Sequence, residues 1–130
     1  MDMYRELILD HYQNPRNWGV LDDPDIDHAE DNPLCGDHLH LTMKLDENER
    51  VAAVGWDGEG CAISQASASL LGEEIIGKTL DELKQFGKDD VLDLLGISIS
   101  PVRLKCALLS LKVLKAGAYG IDVWPGEDEG

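Results

Sequence analysis

The sequence predicts an α+β single domain, in which a small antiparallel β-sheet is packed by helices segregated from it along the chain. Three observations predict this. Residues 38–46, HLHLTMKLD, alternate apolar and polar with the period of a half-buried strand. RVAAVGWDG (50–58) follows a short ENE turn and reads as its antiparallel partner. Residues 3–13 and 102–117 instead carry apolar positions at helical spacing.

Each element can be justified in order. The first helix is expected over 3–13, MYRELILDHYQ, with Tyr4, Leu7, Ile8 and His11 on one stripe, Asp2 as N-cap and Pro15 as the stop. Residues 14–33, NPRNWGVLDDPDIDHAEDNP, are rich in Pro, Asn and Asp and read as a surface loop pinned by Trp18, Val20 and Leu21. In the strand that follows, Leu39, Leu41, Met43 and Leu45 share one face, and His38, His40, Thr42 and Lys44 share the other. A helix is expected from Ser64 to about Ile76, ended by Gly77. Thr79 followed by Glu82 is a capping pattern that opens another short helix. DDVLDLLG (89–96) gives a further amphipathic turn or short helix. Ser100 as N-cap and Pro101 at the first helical position open the last helix, whose stripe is Val102, Cys106, Leu109 and Val113 and which Gly117 closes. The domain is expected over 1–120, with an acidic, flexible tail over 121–130.

A chain of 130 residues with 43% apolar content has the size of one globular domain with its own core. No apolar run approaches the roughly 20 residues of a membrane span. The acidic, amphipathic start MDMYRELILDHY does not read as a targeting signal, so a cytoplasmic location is expected. The 26 acidic and 11 basic residues give a net charge of −15, which argues against nucleic acid and anionic membranes as partners. Self-repulsion of this size weakens a compact state unless salt screens it, a lever that halophilic proteins use. A high-salt cytoplasm is therefore the expected setting. The melting temperature should rise between low and molar KCl, and a flat thermal melt across that range would exclude the idea.

Three cysteines, Cys35, Cys61 and Cys106, are too few and too odd in number for a disulfide framework. Their blandest reading is three buried, inert thiols. Local context points elsewhere. Cys35 sits in LCGD, a glycine turn before a strand. Cys61 follows Gly58 and Gly60 in GEGC, glycines that let the backbone approach something closely, and it starts a helix whose N–H groups attract negative charge. Cys106 is flanked by Arg103 and Lys105. No spacing matches a zinc finger or a C-x-x-C pair, so a shared site has to be assembled by the fold. Asp37, two residues from Cys35 along an extended segment, points the same way and is the natural fourth ligand. Three thiolates and a carboxylate suit Zn²⁺ or iron–sulfur chemistry. They carry two more negative charges than Zn²⁺ neutralises, which gives Arg103 and Lys105 a role beside the site, although each reads equally as an ordinary exposed helix residue. His38 and His40 resemble a two-histidine metal pair, but a solvated strand face explains them as well, and His38 lies close enough to enter the site. His11 and His28 belong to no constellation. In AISQASAS (62–69), small residues allow close helix packing, and the hydroxyls are placed to bond nearby sulfurs.

With these residues in hand, the chain resembles the IscU/SufU/NifU-type iron–sulfur cluster assembly proteins over roughly residues 3–117. The matching pieces are YRELILDHYQNPRNWGVL (4–21), NPLCGDHLHLTMKL (32–45), GEGCAISQASASLL (58–71) and SPVRLKCALLSLKVL (100–114). The resemblance implies a metal site of Cys35, Asp37, Cys61 and Cys106, and a pyridoxal-phosphate cysteine desulfurase as partner. RLKC, with Lys105 before the third cysteine, is similar to the SufU branch. The extra segment that SufU-like proteins carry before the last helix is missing, and SPVR only partly resembles the chaperone-binding motif of the scaffold branch. Two functions follow as expectations. The first is a Zn²⁺-dependent acceptor of persulfide sulfur, with Cys35 as acceptor and Asp37 easing ligand exchange. The second is a scaffold that builds a [2Fe–2S] cluster from iron and passes it to apo iron–sulfur proteins. Both a monomer and a homodimer are compatible with the sequence.

Overall fold

The computed structural model describes residues 3–32 and 36–119, without the side chains of Met3, Tyr4 and Val102. Cys35, the proposed cap Asp2 and the acidic tail expected over 121–130 lie outside the described residues. In chain order the elements are α1 (Met3–Gln13), β1 (Ile26–Asn32), β2 (Asp37–Leu45), β3 (Val51–Glu59), α2 (Ala62–Ile75), α3 (Leu80–Leu83), α4 (Lys88–Leu95), a 3₁₀ turn (Pro101–Arg103) and α5 (Leu104–Tyr119). The three strands form an antiparallel sheet in the order β1-β2-β3. Helices α2 and α5 pack against one face of it, and α1 and α4 pack against α2. The core between these layers is filled by Leu39, Leu41, Met43 and Trp56 from the sheet, and by Leu71, Ile75, Leu109, Leu111 and Leu114 from the helices.

The alternation read from β2 places its apolar face inward as expected. On its other face, His38 is exposed while Thr42 is fully buried. Thr42 is covered by the chain before β1. The Leu21 N–H donates to Thr42 Oγ1 at 3.1 Å, and Thr42 donates on to the Gly55 carbonyl at 2.7 Å. The same segment pairs with the free edge of β3. The Trp56 N–H donates to Asn17 O at 2.8 Å and the Gly19 N–H to Trp56 O at 2.6 Å, which sets Trp18 beside Trp56. Trp18 and Leu21 thus pin the loop, whereas Val20 is 52% exposed. At its other end, β3 is bonded to the start of the α3 region, with the Val51 N–H on Lys78 O and the Gly77 N–H on Val51 O. The capping box of Thr79 and Glu82 forms as read, and Glu82's carboxyl is held below the usual range by its bonds from Thr79.

Two expectations need correction. Residues 14–33 are not all loop, because Ile26–Asn32 is a strand paired along its whole length with β2. Its outward residues Asp27, Ala29 and Asp31 are exposed, while Ile26, His28, Glu30 and Asn32 point toward α5. An inward face that is three-quarters polar hides the strand from any hydropathy pattern. It is stable because α5 answers it: Lys112 Nζ lies 2.6 Å from Glu30 Oε1, and His28 Nε2 lies 2.5 Å from Glu30 Oε2. Second, α5 does not stop at Gly117. It continues to Tyr119, whose hydroxyl donates to the Leu80 carbonyl, so tertiary contact extends the helix past its sequence signal.

His11 also departs from the bland reading. It is 4% exposed, and its Nδ1 lies 2.7 Å from Ser69 Oγ, which also accepts the Arg16 N–H at 2.9 Å. Burial holds its pKa below the ordinary 6.5, and Arg16 acts in the same direction against Glu73 and Asp10. The folded state therefore binds fewer protons than the unfolded chain. His11's contribution to stability is complete above pH 6.5 and is lost as pH falls below it. Urea unfolding at pH 7.5, 6.5 and 5.5 should show that loss, and His11→Gln should flatten it.

Candidate metal centre

Three of the residues singled out in the sequence meet where β2, α2 and α5 begin. Asp37 is the first residue of β2, Cys61 is the N-cap of α2, and Cys106 lies in the first turn of α5. Their ligand atoms lie within 4.8 Å of one another. Asp37 is 2% and Cys106 1% exposed, and Cys61 is half-buried. One oxygen of Asp37, Oδ1, accepts the Cys61 N–H at 3.1 Å. The other, Oδ2, is buried with no hydrogen-bond partner among the described residues. A buried carboxylate oxygen without a donor is costly and rare, and a cation held with two sulfurs satisfies it. One carboxylate and two thiols at this separation therefore fit a zinc or iron ion.

The glycines of GEGC make this approach possible. Gly58 has φ +134°, and a Cβ there would lie 2.0 Å from the His38 carbonyl oxygen. A Cβ on Gly60 would lie 2.2 Å from Ser64 Oγ and 2.9 Å from Asp37 Oδ1. Their bare backbones let the end of β3 lie against β2, and the start of α2 against Asp37. Gln65 Nε2 then donates to the Gly60 carbonyl, and Ser64 Oγ to the Cys61 carbonyl, each at 3.0 Å.

Cys35 falls in the sequence between Asn32 and Gly36, and the Gly36 N–H donates to the Asn32 carbonyl at 2.9 Å. Arg103 is exposed on the 3₁₀ turn and Lys105 half-buried at the start of α5, both at the end of the helix that carries Cys106. The histidine pair is not part of the centre. His38 and His40 face away from Asp37, each 2.5 Å from an aspartate of β1, Asp31 and Asp27 respectively. The hydroxyls of AISQASAS bond carbonyls and neighbouring side chains. Ser67 Oγ donates to Ala107 O at 2.7 Å and lies 2.8 Å from Ser110 Oγ, which draws α2 and α5 together. Sequence reasoning missed Asn32. It is 1% exposed, and its Nδ2 lies 3.9 Å from Cys106 Sγ. Its only sequence signal is a polar residue just before a cysteine turn.

Residues 3–122 match a family model described as NifU-like N terminal domain. The chain is 42% identical to the zinc-dependent sulfurtransferase SufU of Bacillus subtilis, over 88% of each chain. It is 34% identical to the iron–sulfur cluster assembly scaffold protein IscU of Haemophilus influenzae, over 87% of this chain and 90% of that one. The fold matches a crystal structure of a putative iron–sulfur cluster assembly scaffold protein for the SUF system from Fervidobacterium islandicum, with TM-score 0.77 and 28% identity over 87% of this chain and 94% of that one. The match to the Bacillus protein runs over 132 residues yet takes in only 88% of this chain, so that relative has residues in the span that this chain lacks. Among the described residues, no helix is long and apolar enough to cross a membrane.

Proposed function

The chain belongs to the NifU-like N-terminal domain family, and on that premise we propose that it serves iron–sulfur cluster assembly as a zinc-holding acceptor of sulfur from a cysteine desulfurase. The observation that carries this reading is the meeting of Asp37, Cys61 and Cys106 around a carboxylate oxygen with no donor among the described residues. Cys35 completes the set as fourth ligand. Bound Zn²⁺ would keep the thiols ionised and close together at neutral pH. Arg103 and Lys105 offset the negative charge that remains.

The chain's part in sulfur transfer is a nucleophilic one. The Cys35 thiolate attacks the outer sulfur of the desulfurase persulfide, forming a new S–S bond. The bond between the two persulfide sulfurs breaks, its electron pair leaves on the desulfurase cysteine as thiolate, and the proton of the outer sulfur travels with it. Nothing is oxidised or reduced overall, as in thiol–disulfide exchange. Cys35 suits the acceptor role because it precedes Gly36 in LCGD, a stretch whose sequence reads as a turn, whereas Cys61 and Cys106 are anchored at helix starts. Asp37 aids exchange, since carboxylate holds zinc less tightly than thiolate.

The scaffold reading is the second one, favoured by relatives named as IscU scaffolds at 33–34% identity. Anaerobic incubation with iron, cysteine and a pyridoxal-phosphate desulfurase separates the two. Retained zinc, no chromophore, a stimulated desulfurase and loss of that stimulation in Cys35→Ser are expected. A brown chromophore with equal iron and sulfide would establish the scaffold instead. Zinc without stimulation would leave a structural zinc domain.

A further inference from the structure

We propose that Asn32 is a positioning residue that holds Cys106 on the metal while Cys35 exchanges sulfur. This rests on the metal-centre reading above. Asn32 occupies the point where three parts of the centre meet. Its side-chain Nδ2 donates to Cys106 Sγ at 3.9 Å. Its backbone carbonyl accepts the Gly36 N–H at 2.9 Å, joining the two residues between which Cys35 falls in the sequence. In the sheet register it stands directly opposite Asp37. The strand beneath it is fixed to α5 by Glu30 and Lys112, 2.6 Å apart, so its end cannot drift from Cys106.

The amide is placed at a cost. Asn32 is 1% exposed, yet its Oδ1 has no hydrogen-bond partner among the described residues. An amide kept only to fill space would be better replaced by leucine, which buries no unpaired oxygen. What asparagine adds is an uncharged donor aimed at a sulfur. An N–H bonded to a metal-held thiolate draws electron density from it, lowers its nucleophilicity and fixes its orientation. Cys106 is also almost wholly buried, whereas Cys61 is half-buried. Cys61 and Cys106 are thus made unequal by their surroundings, and Cys106 is the one held back from sulfur chemistry.

The test uses the full chain loaded with Co²⁺, as wild type, Asn32→Leu and Asn32→Gln. The sulfur-to-cobalt charge-transfer band should move to longer wavelength in Asn32→Leu, where one thiolate has lost its donor, and stay near the wild-type position in Asn32→Gln, which keeps an amide. A merely structural role would not move this band. After sulfur loading of the zinc protein by a desulfurase, mass spectrometry should find persulfide on Cys35 in wild type and on both Cys35 and Cys106 in Asn32→Leu. An unmoved band in a cobalt-loaded Asn32→Leu overturns the inference and leaves the metal centre intact. Failure of the wild type to bind cobalt or zinc overturns the metal centre and the inference with it. If Asn32→Leu does not fold, ¹¹³Cd-loaded wild type decides: a scalar coupling between the Asn32 side-chain amide protons and cadmium is expected, and its absence overturns the inference.

Discussion

Gly58→Ala is expected to destabilise the domain by about 3 kcal/mol or more and to release the metal with it. Gly58 lies within β3 at φ +134°, a region that other residues enter only at a cost of about 1–3 kcal/mol. Its new methyl would lie 2.0 Å from the His38 carbonyl oxygen and 3.1 Å from Leu39 Cα. These are backbone atoms of the central strand near its start, where Leu39 is the register partner of Gly58, and no rotamer change removes them. Overpacking of this kind adds about 1–3 kcal/mol. The strands must separate at the place where Asp37 and Cys61 are brought together, so zinc content after dialysis should fall to a small fraction of the wild-type value. Gly77→Ala is the control. Its φ is +90° but a Cβ there meets open space, so it carries strain without collision. About 1–2 kcal/mol of destabilisation and full zinc retention are expected. Equal effects from the two substitutions would refute the argument.

Glu30→Ala should cost about 2–3 kcal/mol although it changes no core residue. The Glu30 carboxylate lies 2.6 Å from Lys112 Nζ, and the side chains are 17% and 9% exposed. Removing one member of a buried pair leaves the other in a poor solvent, which is worth about 3–5 kcal/mol when burial is complete and less with this remaining access to water. The double variant Glu30→Leu with Lys112→Met should recover most of the loss, because it removes both charges from the β1–α5 interface. Urea unfolding of the wild type, Glu30→Leu, Lys112→Met and the double variant measures the coupling. A neutral Glu30→Ala would class the pair with ordinary surface ion pairs.

The same interface explains what was legible in the sequence and what was not. β2 could be read because its inward residues are Leu39, Leu41 and Met43, and water exclusion makes such alternation visible. α3 could be read because a capping box is a local arrangement of Thr79 and Glu82. β1 follows a different logic. His28, Glu30 and Asn32 face inward because α5 supplies Lys112 and Cys106 eighty or so positions later, and no window along the chain contains both partners. Asp37, Cys61 and Cys106 stood out through their glycines, the helix start and nearby cations, together with the family motifs. Asn32 did not, since its meaning lies in a sulfur 74 positions away. His11 was passed over for the same reason, its partner Ser69 lying 58 positions on.

The coverage of β3's free edge bears on how another protein can reach the centre. Residues 17–19 occupy that edge at Trp56, and residues 77–78 occupy it at Val51. A partner therefore cannot add a strand at these points. On the β3 side, what is left open to a partner is the end of the sheet, where β2, α2 and α5 begin. Recognition from that side would rest on side chains and not on backbone pairing to β3, so individual surface substitutions there would retune partner choice while the sheet behind stays unchanged.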